Sequence, residues 1–564
     1  MVYALDRPDL WYKDAVFYEV SVRAFADSND DGIGDLAGLT SKLGYLARLG
    51  IDAIWMLPIF PSPLRDDGYD VADYRSIHPD YGTLDDFRRL VAEAHKRGLR
   101  VVVELIPNHT SDQHPWFQAS RDPSHPEHER YRDWYVWSDT DDAYSDTRII
   151  FLDSEPSNWT FDELRGQYFW HRFFHHQPDL NFDNPEVQQE MLRIVQFWID
   201  EGADALRIDA PPYLFEREGT NCENLPETHA YLKRLRAFVD AYAPGTMLLS
   251  EANQWPEDVR DYFGDGDEMH MNFHFPLMPR IFMALAKQSR APIEEIMDRT
   301  PPLPDICQWG TFLRCHDELT LEMVTPEERA FMWDFYAPEP RMRLNLGIRR
   351  RLAPLLENDQ ARIRCANSIL LTFIGSPFLY YGDETGMGDN IWLDDRNGVR
   401  TPMQWNAEPN AGFTGRDVPP ERLYEPVIES ETFGYTKVNV EAQAADPESL
   451  LNWTRDILAL RKQHPVFGRG DLTLLNPENP AVLAYVRTYA DETVLVVNNL
   501  APTAQEVTLD LSAYAGRNRS AGRNRSAGRT LTDLLTGATL EAPASDAWTL
   551  SLERYGFRWL SFSG

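Results

Sequence analysis

Short apolar runs alternate with helical patterns along most of the chain, and this alternation constrains the fold more than any other feature. The runs lie at Ala15–Phe25, Ala53–Phe60, Leu99–His109, Ala205–Asp209, Met247–Asn253, Met269–Phe275, Thr311–Glu318 and Pro377–Glu384. Their β-branched and aromatic residues indicate buried strands, and strands that alternate with helices form parallel sheets. Eight such strands predict an α/β fold, a closed (β/α)8 TIM barrel.

Three segments depart from this alternation. Residues 110–182 are rich in His, Asp, Trp, Tyr and Pro, and we expect an inserted domain after the third strand. Residues 319–363 are longer than one crossover helix requires and indicate a helical insertion near the barrel mouth. From residue 465 to 564, short alternating runs predict a C-terminal antiparallel β-sandwich. The barrel itself is then predicted over residues 1–109 and 183–464.

A short repeat lies inside the last of these segments. AGRNRS stands at 515–520 and again at 521–526, followed by AGR at 527–529, which places five arginines in fifteen residues. A duplicated surface loop and a basic binding patch both fit this pattern, and the surface loop is the more common origin of such a run.

Charge and cysteine content exclude several classes of function. The 89 acidic residues exceed the 55 basic ones by 34, so phosphate backbones and anionic lipid surfaces are repelled, and we expect no nucleic-acid or membrane partner. The four cysteines form no CxxC pair, which argues against a disulfide framework or a zinc site. Charged residues interrupt the N-terminal stretch where a signal peptide needs apolar ones, so we expect a cytoplasmic location. Neutral small molecules remain candidate ligands.

Polar residues follow the predicted strands at the end that faces the mouth of a barrel of this kind. They are Asn108, His109, Arg207, Asp209, Glu251, His316 and Asp317. A pair of carboxylates in such a mouth is what cleavage of a glycosidic bond requires, since one attacks or activates water while the other protonates the leaving oxygen. For any one of these residues a salt bridge at a strand end is an equally good explanation.

Sequence position suggests different roles for two of the carboxylates. Asp209 follows Arg207 by two positions in an extended strand, so both side chains face one way and the guanidinium can keep the carboxylate ionised, as a nucleophile needs. Glu251 ends an apolar strand, where partial desolvation raises a carboxyl pKa towards that of a general acid.

The runs ELIPNH, ALRID, SE and CHD, in this order, resemble the conserved regions of the α-amylase family of retaining glycoside hydrolases over nearly the whole chain. The resemblance implies that Asp209 is the nucleophile, Glu251 the general acid/base and Asp317 a third carboxylate that binds sugar hydroxyls. It places His109, Arg207, His316 and Tyr69 in the same pocket, and it implies that Asp70 pairs with Arg400 to close the blind end around a terminal glucose. One departure is Cys315, which stands where the family usually has Asn and lacks the hydrogen bonds of an amide.

Longer stretches narrow the resemblance within the family. The segment at 177–181 resembles the subgroup that contains oligo-α-1,6-glucosidases and the members that isomerise maltose to trehalose, rather than starch-cleaving amylases. The segments at 216–229, 316–325 and 388–405 resemble the maltose-isomerising members themselves. We therefore expect a glucosyl transfer within maltose by double displacement, with minor hydrolysis, and maltose, trehalose and glucose as ligands. Between the two steps of such a transfer the released glucose must turn, and Asn253 and Glu318 could contact this glucose or merely brace loops. The alternatives are an α-glucosidase that hydrolyses short α-glucosides and a non-catalytic relative, although the latter should lack one of the three carboxylates.

Calcium is the cofactor that the sequence indicates, and no organic cofactor is expected. The acidic turn at 27–35 presents oxygen ligands at every second residue with a glycine for the tight turn, from Asp27, Asn29, Asp31, Asp35 and the Ile33 carbonyl. A solvated acidic turn is the alternative. The resemblance alone implies a second site, formed by Asn108, Asp179, Glu216 and the carbonyls of Tyr213 and Leu214. A large barrel surface and a β-domain are compatible with a homodimer.

Overall fold

The computed structural model describes residues 8–514, 530–541 and 547–562, so the AGRNRS repeat lies outside the described residues. The strands are β1 (Phe17–Val20), β2 (Ala53–Met56), β3 (Arg100–Leu105), β4 (Trp137–Ser138), β5 (Trp159–Asp162), β6 (Gln167–Trp170), β7 (Ala205–Ile208), β8 (Met247–Ser250), β9 (Met271–Phe273), β10 (Gln308–Phe312), β11 (Arg343–Leu344), β12 (Gly347–Ile348), β13 (Ser376–Tyr380), β14 (Asp471–Leu475), β15 (Val482–Tyr489), β16 (Glu492–Asn499), β17 (Gln505–Asp510), β18 (Thr530–Asp533), β19 (Thr539–Glu541), β20 (Ala547–Leu552) and β21 (Phe557–Phe562).

The α-helices lie between these strands. They are α1 (Trp11–Asp14), α2 (Val22–Phe25), α3 (Leu36–Leu49), α4 (Leu84–His95), α5 (Pro115–Arg121), α6 (His128–Tyr131), α7 (Pro185–Asp200), α8 (Pro226–Tyr242), α9 (Pro256–Val259), α10 (Leu277–Lys287), α11 (Ala291–Asp298), α12 (Pro326–Tyr336), α13 (Leu352–Leu355), α14 (Gln360–Thr372), α15 (Val440–Ala445), α16 (Leu450–Arg461) and α17 (Val466–Arg469). Short 3-10 turns occupy Pro8–Leu10, Pro79–Tyr81, Pro211–Tyr213, Arg260–Phe263, Pro340–Met342, Asp383–Thr385, Asn397–Val399, Pro409–Gly412, Pro420–Arg422 and Ser512–Tyr514.

Eight parallel strands close into a barrel, which confirms the predicted fold class. Their order around the barrel is β1, β2, β3, β7, β8, β9, β10 and β13, and β13 pairs back onto β1. The core strands are buried on both faces, as the continuous apolar runs predict. Helix α3 illustrates the connections: Asp35 caps its first turn, and Gly50 ends it in the left-handed region at φ 101°.

All eight predicted runs extend beyond the strand that the structure contains, and three of them illustrate the difference. The run from Ala15 ends as a strand at Val20 and continues as helix α2. The run predicted at Thr311–Glu318 is strand β10, which ends at Phe312, so His316 and Asp317 lie in the following loop. The last barrel strand ends at Tyr380. In these three cases most of the residues beyond the strand are buried, and burial rather than strand pairing produces the apolar pattern.

The inserted segment after β3 contains its own small antiparallel sheet in the order β4, β6, β5, together with helices α5 and α6. The segment after β10 contributes helix α12 and the hairpin of β11 and β12, which is held to the loop after β10 by the bridge between Leu319 and Ile348. Both insertions therefore rise from the carboxyl ends of barrel strands, the end at which a TIM barrel binds its substrate.

The C-terminal region forms two antiparallel sheets, one in the order β14, β15, β16, β21, β18, β19 and one of β17 and β20. Apolar side chains from both sheets share one core. Helix α14 attaches the larger sheet to the barrel through Ser368, which receives a hydrogen bond from Trp559 and donates one to Asn498. Within the described ranges no helix is both long and apolar enough to cross a membrane.

Candidate active site

A cavity of about 120 Å³ opens at the carboxyl ends of the barrel strands, where both insertions meet. Among its lining residues, those that the sequence analysis had selected are Tyr69, His109, Tyr213, Asp209, Glu251, Asn253, Asp317 and Glu318. The lining residues that were not predicted from the sequence are Asp66, Ile150, Phe151, Ala210, Phe275, Thr320, Glu322 and Arg396. Phe173 of the inserted segment also lines the cavity. The cavity is smaller than the ~300–1,000 Å³ typical of ligand clefts, so it is a narrow pocket.

Arg207 lies beneath the pocket and binds three carboxylates. Its Nη1 atom lies 2.6 Å from Asp209 Oδ1 and 2.9 Å from Glu104 Oε2, and its Nη2 atom bonds Glu251. The arginine side chain is fully buried, so its charge is screened little by solvent. Strand β7 ends at Ile208, and Ala210 adopts a left-handed φ of 49°, which turns the chain sharply beside Asp209. The predicted pairing of Arg207 with Asp209 is confirmed.

The two carboxyls bound by Arg207 differ in pKa. Burial raises the pKa of Asp209 to about 6, while Arg207 opposes the rise and Glu104 adds to it. Burial raises the pKa of Glu251 to about 8, opposed by Arg207 and increased by the neighbouring charge of Asp209. Near pH 7 Asp209 is therefore mainly ionised and Glu251 mainly protonated, the division that a nucleophile and a general acid require.

Asp317 is held as an anion by three cationic side chains. Its Oδ1 atom accepts hydrogen bonds from Arg396 Nη1 and Arg400 Nη2, each at 2.9 Å, and its Oδ2 atom lies 3.2 Å from His316 Nε2. Burial alone raises the pKa of Asp317, but the charges of His316, Arg396 and Arg400 outweigh burial and lower it. Because Asp317 remains ionised, it can accept hydrogen bonds from the hydroxyls of a sugar.

The predicted pair of Asp70 and Arg400 is wrong. Asp70 is completely buried, does not line the pocket, and accepts hydrogen bonds from a serine hydroxyl and two backbone amides. Arg400 bonds Asp67 at 3.2 Å instead. The pair that closes the pocket is Asp66 and Arg396, joined at 2.8 Å. The sequence contains three aspartates within RDDGYD, and only the geometry of that turn decides which one faces the cavity.

His109 and His316 both belong to the site but differ in environment. His109 lines the cavity with its Nε2 atom buried and unbonded, and burial lowers its pKa to about 3, so the ring is neutral. His316 lies one layer deeper, with Nε2 at 2.9 Å from the hydroxyl of Tyr69. Cys315 is buried beside it, and its thiol reaches only the carbonyl of Asp317, at 3.9 Å.

An ion-pair network that the sequence analysis missed forms the outer wall. Arg148 of the inserted segment bonds Glu223 and Glu322, each at 2.8 Å, and Glu322 lines the cavity. Asn253 donates a hydrogen bond to Thr320 at 3.3 Å, and Glu318 accepts one at 3.4 Å from an asparagine of the β11–β12 hairpin. Asn253 and Glu318 thus face the cavity and brace a loop as well. Arg148 stands alone in an irregular segment, where no spacing pattern could have indicated it.

The residues expected at the second cation site leave three oxygens without hydrogen-bond partners. These are Asn108 Oδ1, Asp179 Oδ2 and Glu216 Oε1, all buried. Burial raises the pKa of both carboxyls, and the charge of Asp179 raises that of Glu216 further. Buried carboxylates are stable when a cation or hydrogen bonds compensate them, so this donor set fits a hard cation.

The acidic turn at 27–35 has a different character. Asp27 accepts hydrogen bonds from three backbone amides of its own loop, and both oxygens of Asp35 bond Ser28. In the part of the chain that the structure describes, no three His, Cys, Asp or Glu side chains converge as metal ligands. A calcium ion at this turn stays a prediction from spacing.

Comparison with known proteins finds matches over most of the chain. Residues 20–329 and 348–470 match the alpha amylase catalytic domain, and residues 472–559 match the maltogenic amylase C-terminal domain. A trehalose synthase from Pimelobacter is 55% identical over 97% of this chain and 95% of its own. The trehalose synthase/amylase TreS of Mycolicibacterium smegmatis is 58% identical, with coverage of 90% and 87%. The crystal structure of the trehalulose synthase MutB from Pseudomonas mesoacidophila superposes with a TM-score of 0.76 at 29% identity and covers 98% of this chain and 99% of that one.

Proposed function

The chain belongs to the α-amylase family of glycoside hydrolases, and we propose that it isomerises maltose to trehalose by glucosyl transfer within one substrate molecule, with slow hydrolysis to glucose. One observation carries the proposal: relatives named trehalose synthase share more than half of the residues over nearly the whole chain. The geometry of the pocket supports it, since Asp209, Glu251 and Asp317 all line one cavity.

The first step breaks the bond between the two glucose units. A carboxylate oxygen of Asp209 attacks the anomeric carbon while Glu251 gives its proton to the departing 4-oxygen, so a covalent glucosyl enzyme and free glucose form. The pKa of about 6 at Asp209 and of about 8 at Glu251 give each group the protonation state that this step uses. Asp66, Arg396 and Asp317 stand at the blind end, where they would bind the hydroxyls of the transferred unit.

The second step joins the same two units through different oxygens. The free glucose turns, and Glu251, now a carboxylate, removes the proton from its anomeric hydroxyl. That oxygen then displaces Asp209 from the glucosyl carbon, which gives trehalose and regenerates the protonated acid. Two inversions preserve the α-configuration. Because the cavity is small, the retained glucose is present at a far higher effective concentration than in solution.

The wall around the second glucose excludes water. Arg148 links the inserted segment to Glu322 across the cavity, and Phe173 and Phe275 supply apolar surface. A wall that admits water would let water resolve the glucosyl enzyme, and the product would then be glucose, as in an α-glucosidase. The ratio of trehalose to glucose therefore measures how well the wall remains closed.

Calcium is our proposal for the cation held by Asn108, Asp179, Glu216 and the carbonyls of Tyr213 and Leu214. Its role would be structural, since these residues join the barrel, the inserted segment and the loop after β7. The spacing of the 27–35 turn supports a further calcium ion there. We also propose a cytoplasmic location, because all four cysteines are buried and free, and a homodimer as the assembly.

The proposed reaction is tested by incubating the purified protein with maltose alone and separating trehalose, maltose and glucose over time. We expect trehalose to accumulate well ahead of glucose. Glucose without trehalose would leave an α-glucosidase, and the absence of any product would indicate a non-catalytic relative.

A further inference from the structure

Glu19 of strand β1 is a buried carboxylate that lies beneath the active site and contacts His316. Glu19 is 1% exposed, and its Oε1 atom accepts a hydrogen bond from the backbone amide of His316 at 3.0 Å and one from the imidazole Nδ1 at 2.5 Å. The two bonds fix both the backbone and the ring of the residue that precedes Asp317. The mechanism described above makes no use of Glu19.

The other ring nitrogen of His316, Nε2, has two oxygen neighbours. The hydroxyl of Tyr69 lies 2.9 Å from Nε2 and 3.1 Å from Glu104 Oε1, and when Glu104 is ionised the hydroxyl donates its hydrogen to Glu104 and is an acceptor towards Nε2. The second neighbour of Nε2 is the Asp317 carboxylate, at 3.2 Å, which is also an acceptor. Each ring nitrogen therefore has a carboxylate neighbour, Glu19 at Nδ1 and Asp317 at Nε2, and a ring that donates to both is an imidazolium.

Glu19 has a counterpart in Glu104. Glu104 bonds Arg207, which in turn bonds Asp209 and Glu251. In the same way Glu19 bonds His316, which lies against Asp317. Arg207 therefore lies between Glu104 and the carboxylates of Asp209 and Glu251. In the same way, His316 lies between Glu19 and Asp317.

The residue next to His316 explains why Glu19 matters in this chain. Cys315 supplies only a long contact from its thiol to the carbonyl of Asp317, so it does not hold the imidazole. Arg314 donates a hydrogen bond to the backbone carbonyl of Asp317, and Arg400 donates one to the backbone carbonyl of His316. Neither hydrogen bond involves the imidazole ring. Among the described contacts of the ring, Glu19 is the partner at Nδ1.

We propose that Glu19 is a positioning residue, which keeps His316 protonated at both nitrogens and oriented so that Asp317 is held in place against the bound sugar. This inference deepens the proposed function, because it concerns the same pocket. The His316 cation would then stabilise the anionic form of Asp317 through the whole catalytic cycle.

The charges around His316 agree in sign with this role. Burial lowers the pKa of His316, but the charges of Asp317 and Glu19 outweigh burial and raise it above its usual value, with Arg400 acting against them. The other acidic groups that interact with this ring are Asp67, Glu104 and Glu251. Removing the Glu19 charge should therefore lower the pKa of His316.

Two variants separate the hydrogen bonds of Glu19 from its charge. Glu19→Gln keeps an acceptor for His316 but removes the charge, and Glu19→Ala removes both. Glu384→Gln is the matched control: Glu384 is equally buried near β1 but bonds the hydroxyls of Tyr18 and Tyr45 and not His316. The ring is followed by ¹⁵N NMR of histidine-labelled protein without substrate, and its signals are assigned from their loss in His316→Gln.

We expect both His316 nitrogens to be protonated at pH 7 in the unsubstituted protein and in Glu384→Gln, and the ring to lose a proton at lower pH in Glu19→Gln. An unchanged His316 titration in Glu19→Gln would overturn the proposal. Because no substrate is present, this result does not depend on which reaction the enzyme catalyses. Glu19→Gln preserves size and hydrogen bonding, so the test stands even if Glu19→Ala does not fold.

Kinetics then tests the positioning role. With maltose as substrate, we expect Glu19→Ala to lower kcat by roughly 10²-fold, the effect of misplacing a catalytic group by about 1 Å. Glu19→Gln should recover most of this loss at low pH and show an alkaline limb at lower pH than the unsubstituted enzyme. Loss of stability with unchanged kcat in both variants would mean that Glu19 is only a structural residue.

Discussion

At the scale of single residues, Arg207 sets the charge balance of the pocket. It contacts three carboxylates from a fully buried position. Taking away one partner of such a cluster leaves buried charge uncompensated, which costs about 3–5 kcal/mol. The same cluster separates the pKa values of Asp209 and Glu251, so it serves both stability and catalysis.

The pH dependence of the reaction follows from these two carboxyls. We predict a bell-shaped profile of kcat/KM for maltose with limbs near pH 6 and pH 8. Activity falls below pH 6 as Asp209 gains a proton and can no longer attack, and above pH 8 as Glu251 loses the proton that it must donate. Since the two groups interact, the limbs belong to the pair. A profile that stays flat from pH 5 to 9 would contradict the assignment.

The two aspartates of the RDDGYD turn should behave differently. Asp66→Asn removes a charge that faces the sugar and should lower kcat/KM about 10- to 100-fold, as expected for a hydrogen bond to a charged group of about 1.5–3 kcal/mol. Asp70→Asn is the matched variant and should lower the unfolding temperature, because Asp70 binds its own loop. Equal losses of kcat/KM in both variants would mean that Asp70 also belongs to the binding site. Steady-state kinetics and thermal unfolding distinguish these outcomes.

Residues at strand ends could be predicted from the sequence, whereas residues in loops could not. Asp209 and Glu251 directly follow β7 and β8, so strand periodicity alone places them at the mouth. Asp66, Arg396 and Arg148 lie in irregular segments. The direction of these side chains depends on backbone turns and on partners 75 to 330 residues away along the chain, for which the sequence contains no repeating signal.

At the scale of elements, the two insertions narrow the barrel mouth to a small pocket. They approach each other at the ion pair of Arg148 with Glu322. They also meet where the backbone N–H of Asn345 donates a hydrogen bond to the carboxylate of Asp153. The extent of both insertions was foreseeable from composition and length. Their contact was not, because it depends on how two irregular chains pack against each other.

Opening this contact should change the product ratio. Arg148→Ala removes the link to Glu322, so water should reach the glucosyl enzyme and the fraction of maltose converted to glucose should rise several-fold. Arg130→Ala is the control, since Arg130 lies on the exposed side of the inserted segment and pairs with Glu127. Product chromatography after complete consumption of maltose gives the ratio. An unchanged ratio in Arg148→Ala would show that the ion pair does not exclude water.

Cation binding should stabilise the join between the barrel and the inserted segment. A site that is saturated about 100-fold above its Kd contributes about 2.7 kcal/mol, so we expect a chelator to lower the unfolding temperature by a few °C. Glu216→Gln should abolish this difference, and Asp31→Asn, in the acidic turn, should retain at least part of it. A full chelator effect in Glu216→Gln would place the cation elsewhere.

At the scale of the whole molecule, the fold confines the reaction to one end of the barrel. The barrel and its insertions surround the pocket, while the C-terminal sheets pack through helix α14 and, within the described residues, supply no side chain that lines the cavity. The sequence predicted the barrel because strand and helix periodicities alternate along most of the chain. The central claim at this scale is that glucose stays in the pocket between the two steps.

Isotope exchange tests that claim most directly. Unlabelled maltose is incubated with a large excess of [¹³C]glucose, and the label in the trehalose product is measured by mass spectrometry. We predict that trehalose forms almost free of label, because the glucose released in the pocket is the one that reacts. Trehalose labelled in one unit to the same extent as the glucose of the medium would contradict the account, since released glucose would then leave before the second bond forms.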